Sequence, residues 1–120
     1  MQAPLLDLDQ LESIGAIGYD DYLDLLGDVI RDIPHHLGGI RAAIAAGDSV
    51  NFRSRVHAFR GIISYFGCVA LTSRLAALEH QLEVAPAQAT AIHTELQDFW
   101  DRSLAAIKEW EISVPDFAPK

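Results

Sequence analysis

Cysteine is almost missing from this chain. Cys68 stands alone, so no internal disulfide can staple the fold and nothing points to an oxidising compartment. Positive charge is scarce as well. Nine lysines and arginines face 17 aspartates and glutamates, which leaves a net charge of −8. A surface of that sign repels nucleic acid and anionic membranes, so neither is expected as a partner. No apolar run comes near the roughly 18 residues that a membrane helix needs. The opening residues Met1 to Asp7 have no basic n-region and reach an acid too early for a signal peptide, and a cytoplasmic location is expected. Gly-rich phosphate loops, nucleotide fingerprints and Ser-His-Asp sets are absent too.

Apolar residues, in contrast, make up half of the 120 positions, enough for one domain with one core. Their period is helical throughout, and no alternating strand pattern appears. The spacing predicts a short helix over about 5–13, a long one over about 19–46 and a third over about 49–66. A fourth is predicted over about 68–84 and a fifth over about 87–111. The second carries the stripe Tyr22, Leu25, Leu26, Val29, Ile33, Leu37, Ile40 and Ile44, with Pro34 expected to kink or split it. Gly47 stops it, and Asp48 or Ser49 caps the next. Leu71, Leu75, Leu78 and Leu82 stripe the fourth. Short connections between long amphipathic helices make neighbours antiparallel. The expected fold is therefore all-α: an up-down four-helix bundle with an additional short N-terminal helix, spanning residues 1–112, then an extended tail over 113–120.

Charge is unevenly placed. Eight acids and only Arg31 fall within residues 1–32, whereas residues 50–74 carry Arg53, Arg55, Arg60 and Arg74 with no acid. On a wheel of the third helix, Phe52, Val56, Phe59, Ile63 and Phe66 gather on one side and must face the core. His57 lies opposite them, with Arg53, Arg60, Gly61 and Ser64 on its own side. Arg55 is the misfit, required to snorkel or to find a buried acid. Gly61 also needs a reason, since a glycine within a helix costs about 0.5–1 kcal/mol relative to alanine. One turn beyond His57, it clears a flank of the imidazole. An exposed histidine with an open flank and a neighbouring arginine suits transient phosphorylation, the ring being the nucleophile and Arg60 binding the phosphoryl oxygens. From spacing alone, a plain surface histidine remains the default reading.

The run His57-Ala-Phe-Arg-Gly61, with Gly67 six positions later, resembles the H-x-L-K-G…G signature of the histidine-containing phosphotransfer (HPt) domain family. The resemblance extends to the Asp32-Ile-Pro34 turn, the Gly47-Asp48 break and Leu78-Glu79. It implies that His57 carries a phosphoryl group, that Arg60 steadies it in place of the usual lysine, that Gly61 gives access and that Glu79 bonds the imidazole. Ile62, Ile63, Arg55 and Tyr65-Phe66 depart from the family's pattern, but they lie off the His57 face. The implied function is a phosphorelay intermediate, a phosphoryl carrier and not an enzyme with its own ATP or metal site. The expected partners are a response-regulator receiver domain, a hybrid histidine kinase, or both. No cofactor is expected on this chain, because Mg²⁺ belongs to the receiver, and a monomer is expected. The alternative is an adaptor bundle that binds a receiver or kinase without accepting phosphate.

Two further expectations follow. Val50, Ala58, Gly61, Ser64 and Tyr65, with Arg53 and Arg60, should form an exposed docking patch. His57 lies ten residues before Gly67 and Glu79 twelve after it; at about 1.5 Å per residue both stand roughly 15–18 Å from the turn, at nearly one level. Glu79 can therefore accept the Nδ1–H of His57, or pair instead with Arg60 or Arg53. The remaining histidines are read as surface residues, Cys68 as a buried small hydrophobe, and Trp100 and Trp110 as packing aromatics.

Overall fold

Two of the helices begin at an aspartate cap. Asp7 accepts the N–H groups of Asp9 and Gln10 at 3.1 and 3.3 Å and opens α1, Leu8–Gly15. Gly18, at φ 145°, precedes α2, Tyr19–Ala45. Asp48 accepts the N–H of Asn51 at 3.0 Å and opens α3, Ser49–Ser64. After Gly67 comes α4, Val69–Glu79, and a 3₁₀ turn at Pro86–Gln88 leads into α5, Ala89–Ser113. This computed structural model describes residues 4–16, 18–81 and 83–114, and no strand occurs among them.

The helices run up and down. Arg41 of α2 donates to Thr90 of α5 at 3.3 Å, and Tyr22 near the other end of α2 donates to Glu111 at 3.1 Å, so these two lie antiparallel along their length. Tight turns at Gly47 and Gly67, with φ of 67° and 69°, reverse the chain between α2 and α3 and between α3 and α4. Arg74 of α4 reaches Glu95 of α5 at 2.9 Å. The core is filled by Leu26, Leu37 and Ile40 of α2, Val56, Phe59 and Ile63 of α3, Leu71, Leu75 and Leu78 of α4, and Leu96 and Ile107 of α5. Fully burying side chains of this size contributes about 1.5–3 kcal/mol each, before conformational entropy is charged against it.

Gly67 answers two demands at once. Its positive φ favours glycine, and a Cβ there would come within 2.6 Å of the Asp7 carbonyl oxygen. The Asp7 N–H donates to the Gly67 carbonyl at 2.7 Å, and the Gln10 side-chain amide donates to the Tyr65 carbonyl at 3.2 Å. The start of α1 is thereby tied onto the tip of the α3–α4 hairpin.

Several expectations need correction. Pro34 neither splits α2 nor ends it; its ring is exposed, and the helix continues from Tyr19 to Ala45. Leu25 is exposed, because its neighbour Leu26 takes the core position. The fourth helix ends at Glu79 and not near 84, and Leu82 lies outside the described residues. The fifth begins after the Pro86 turn and runs on through Ser113, so the expected tail starts no earlier than Val114, and its residues 115–120 lie outside the described residues. Among the described residues Arg55 pairs with no acid: its guanidinium lies where a Cβ on Gly39 would stand, with Nε buried and unbonded.

Candidate functional site

The apolar stripe of α3 fixes where His57 points. Phe52, Val56, Phe59 and Ile63 are buried, so the opposite face turns outward, and the His57 side chain is 68% exposed. The α3–α4 turn then brings Glu79 alongside, as the count of residues from Gly67 requires. His57 Nδ1 stands 2.8 Å from Glu79 Oε1, and Arg60 places its guanidinium 3.0 Å from Glu79 Oε2. His57 and Arg60, two of the three partners expected for Glu79, therefore reach the same carboxylate, His57 at Oε1 and Arg60 as an ion pair at Oε2, an oxygen that accepts no hydrogen bond.

The short contact to a carboxylate assigns the ring proton to Nδ1, which donates to Glu79. Arg60 also lies 3.2 Å from Nδ1; with the proton on that nitrogen, this approach is a contact and not a hydrogen bond. In the neutral ring, that tautomer places the lone pair on Nε2. Glu79 and Arg60 are 22% and 30% exposed, so the pair holding the imidazole is itself partly sheltered from solvent, while the ring is open.

Beside the ring lies a cleft of about 310 Å³ lined by His57, Arg60, Gly61, Ser64 and Thr72. Nothing lies within 4 Å of the position a Gly61 Cβ would take. Helix packing therefore does not require glycine there, and the open flank is what its absent side chain provides. Ser64 donates to the Gly61 carbonyl at 3.0 Å. Thr72 was not singled out by the sequence, although it stands two turns before Glu79 on the same helix, a spacing that puts both on one face.

Most residues of the expected docking patch are exposed. Val50 and Tyr65 are 79% and 40% exposed, and Ala58, Gly61 and Ser64 are exposed as well. Arg53 departs from it: half-buried, it lines a small crevice with Gly47, Phe52, Gln81 and Val84 instead of standing clear. Leu8 and Val69 are exposed as well and line a separate cleft at the start of α1 and α4.

The other ionisable candidates stay out of this site. His36 stacks on Phe59 with ring centroids 5.3 Å apart, and burial, followed by the charge of His35, holds its titration below the ordinary histidine value. Cys68 is buried, which pushes its thiol up to about 12 and leaves it a thiol at neutral pH. Trp100 and Trp110 are packing residues, 3% and 7% exposed. Among the described residues, no three His, Cys, Asp or Glu side chains gather to hold a metal ion, and no helix is long and apolar enough to cross a membrane.

Comparison with known proteins identifies the family and the fold. The Hpt domain family matches residues 24–110, which contain His57, Arg60, Gly61 and Glu79. No curated protein matches the chain. Among solved structures it is similar to histidine-containing phosphotransfer protein B (HptB) from Pseudomonas aeruginosa PAO1. The two are 27% identical, with a TM-score of 0.74, and the match covers 90% of this chain and 95% of that one.

Proposed function

This chain belongs to the Hpt domain family, whose work is histidine phosphotransfer in a phosphorelay, and we propose that His57 is the residue that carries its phosphoryl group. The observation that supports this most is the pairing of an outward imidazole with a carboxylate at Nδ1. In the neutral ring, that bond places the nucleophilic lone pair on Nε2, beside the open flank at Gly61.

The donor is an aspartyl phosphate on a response-regulator receiver domain, or on a hybrid histidine kinase that carries one. The Nε2 lone pair attacks phosphorus, the N–P bond forms, and the P–O bond to the partner's aspartate breaks with its electron pair leaving on that carboxylate. Arg60, within reach of the ring, takes up charge-assisted hydrogen bonds to the phosphoryl oxygens. Onward transfer is the same sequence in reverse, to a second receiver. Mg²⁺, which neutralises charge in such transfers, is held by the receiver's acids. The domain acts as a monomeric cytoplasmic carrier without an ATP site of its own.

Docking uses the exposed face of α3, where Val50, Ala58, Ser64 and Tyr65 surround His57, with Arg60 at its centre and Arg53 at its edge. The test is incubation of the protein with a phosphorylated receiver and Mg²⁺. Acid-labile, base-stable label on His57 is the expected result; stable binding of the receiver with no label would make the chain an adaptor.

A further inference from the structure

Arg60 and His57 share one carboxylate. Glu79 bonds the imidazole proton through Oε1 at 2.8 Å and holds Arg60 through Oε2 at 3.0 Å. The cation expected to steady a phosphoryl group is thus already engaged when His57 is empty, and the residue engaging it carries the same sign of charge as that group. We infer that the Glu79 carboxylate sets the lifetime of the phosphoryl group on this chain, keeping it short-lived and ready to leave, and so makes the protein a pass-through carrier and not a store. This inference rests on the reading of His57 as the phosphoryl acceptor.

The chemistry follows the ring proton. When the phosphoryl group leaves Nε2, a P–O bond forms to water or to a receiver's aspartate carboxylate, the N–P bond breaks, and its electron pair returns to Nε2. If Nδ1 still holds its proton, the ring departs as neutral imidazole. If that proton has been lost, the ring must depart as an anion, a far poorer leaving group. A carboxylate bonded to Nδ1–H opposes loss of the proton, because the cationic phosphorylated ring is stabilised by a negative neighbour. A neutral amide at the same place would accept the same hydrogen bond and preserve the orientation without that electrostatic effect.

The second contribution has the same direction. A phosphoryl group on Nε2 brings two negative charges to a ring already flanked by Glu79. Their mutual repulsion raises the energy of the phosphorylated state, and Arg60 must divide its charge between the carboxylate and the phosphoryl oxygens. Arg60 on α3 and Glu79 on α4 are the charged groups in contact with His57, and Arg53 stands four residues earlier on α3. The partial shelter of Glu79 keeps these interactions stronger than those of a fully solvated pair.

The experiment compares the wild-type protein with Glu79→Gln and Arg60→Gln. Each is loaded from a phosphorylated receiver with Mg²⁺, separated from the donor, and followed for loss of label from His57 between about pH 6 and 9. Glu79→Gln is expected to lengthen the lifetime about three- to tenfold at the alkaline end. It should also move the pH at which loss slows to a lower value, and shift the transfer equilibrium with the receiver toward phosphorylated His57. Arg60→Gln is expected to shorten the lifetime. A Glu79→Gln protein with wild-type lifetime and pH profile overturns the inference, as does a folded Glu79→Gln protein that takes no label. Absence of label from wild-type His57 overturns the underlying assignment of the acceptor, and the inference with it.

Discussion

Glu79 and Glu111 each accept a hydrogen bond from a ring on another helix, His57 at 2.8 Å in the first case and Tyr22 at 3.1 Å in the second. Burial separates them. Tyr22 is 1% exposed and Glu111 9%, whereas His57 lies open beside a cleft. Burial and then the charge of Glu111 raise the Tyr22 hydroxyl above its ordinary range, so it remains a fixed donor at any physiological pH. It ties α2 to the end of α5, with Trp110 edge-on to its ring at 5.8 Å, and Lys108 approaches the other carboxylate oxygen at 3.4 Å. The same carboxylate-to-ring bond fastens two helices where water is excluded and orients an exposed imidazole beside an open cleft.

The sharpest way to break this comparison is to remove each ring's polar atom in turn. His57→Gln should abolish labelling while shifting the thermal midpoint by no more than about 2 °C, because an exposed side chain contributes little to stability; label transfer and circular dichroism melting measure the two halves. Gly67→Ala should cost about 2 kcal/mol, read from urea unfolding, since both the positive φ and the Asp7 carbonyl oppose a methyl group. The contrast with the open Gly61 makes it a control for the hairpin that levels His57 with Glu79. Tyr22→Phe should cost about 1–2 kcal/mol by leaving a buried carboxylate short of a donor, with phosphotransfer unchanged. A loss of transfer in that variant would show the two networks to be coupled.

The smallest effect concerns pH. Burial, then the charge of His35, keeps His36 from taking up a proton, with Asp32 opposing and Arg55 adding to the effect. The unfolded chain binds that proton near pH 6.5 while the folded chain binds it only at lower pH. The associated stability is therefore present above about pH 6.5 and is lost as pH falls toward the lowered native value. His36→Gln should flatten the dependence of the urea midpoint on pH between about 7 and 5.

What could be read from the sequence was whatever depends on helical arithmetic. The outward direction of His57 follows from five apolar neighbours on the far side of one helix, and the level of Glu79 follows from counting residues on either side of Gly67. Cases decided by tertiary contacts were harder. Leu25 and Leu26 are adjacent and equally apolar, and only the packing of α2 within the bundle decides which is buried. Leu82 extends the leucine spacing, yet α4 ends at Glu79 with His80 as its cap. The seat of Arg55 depends on Gly39 from another helix, a pairing that no periodicity within α3 can reveal. Glu111 was missed although its signal was present, for it stands four residues after Ile107 and continues the stripe of Ile92 and Leu96 with a charged residue.

The placement of His57 and Glu79 on one helical hairpin bears on the order in which the protein assembles. They are 22 residues apart, whereas the Tyr22–Glu111 bond spans 89. Closing the short loop costs less chain entropy, and local contacts form sooner than distant ones. The pairing of His57 with Glu79 thus lies within a unit that can organise before the first and last helices dock. Local opening that releases the ends of α1 or α5 can occur without parting the imidazole from its carboxylate.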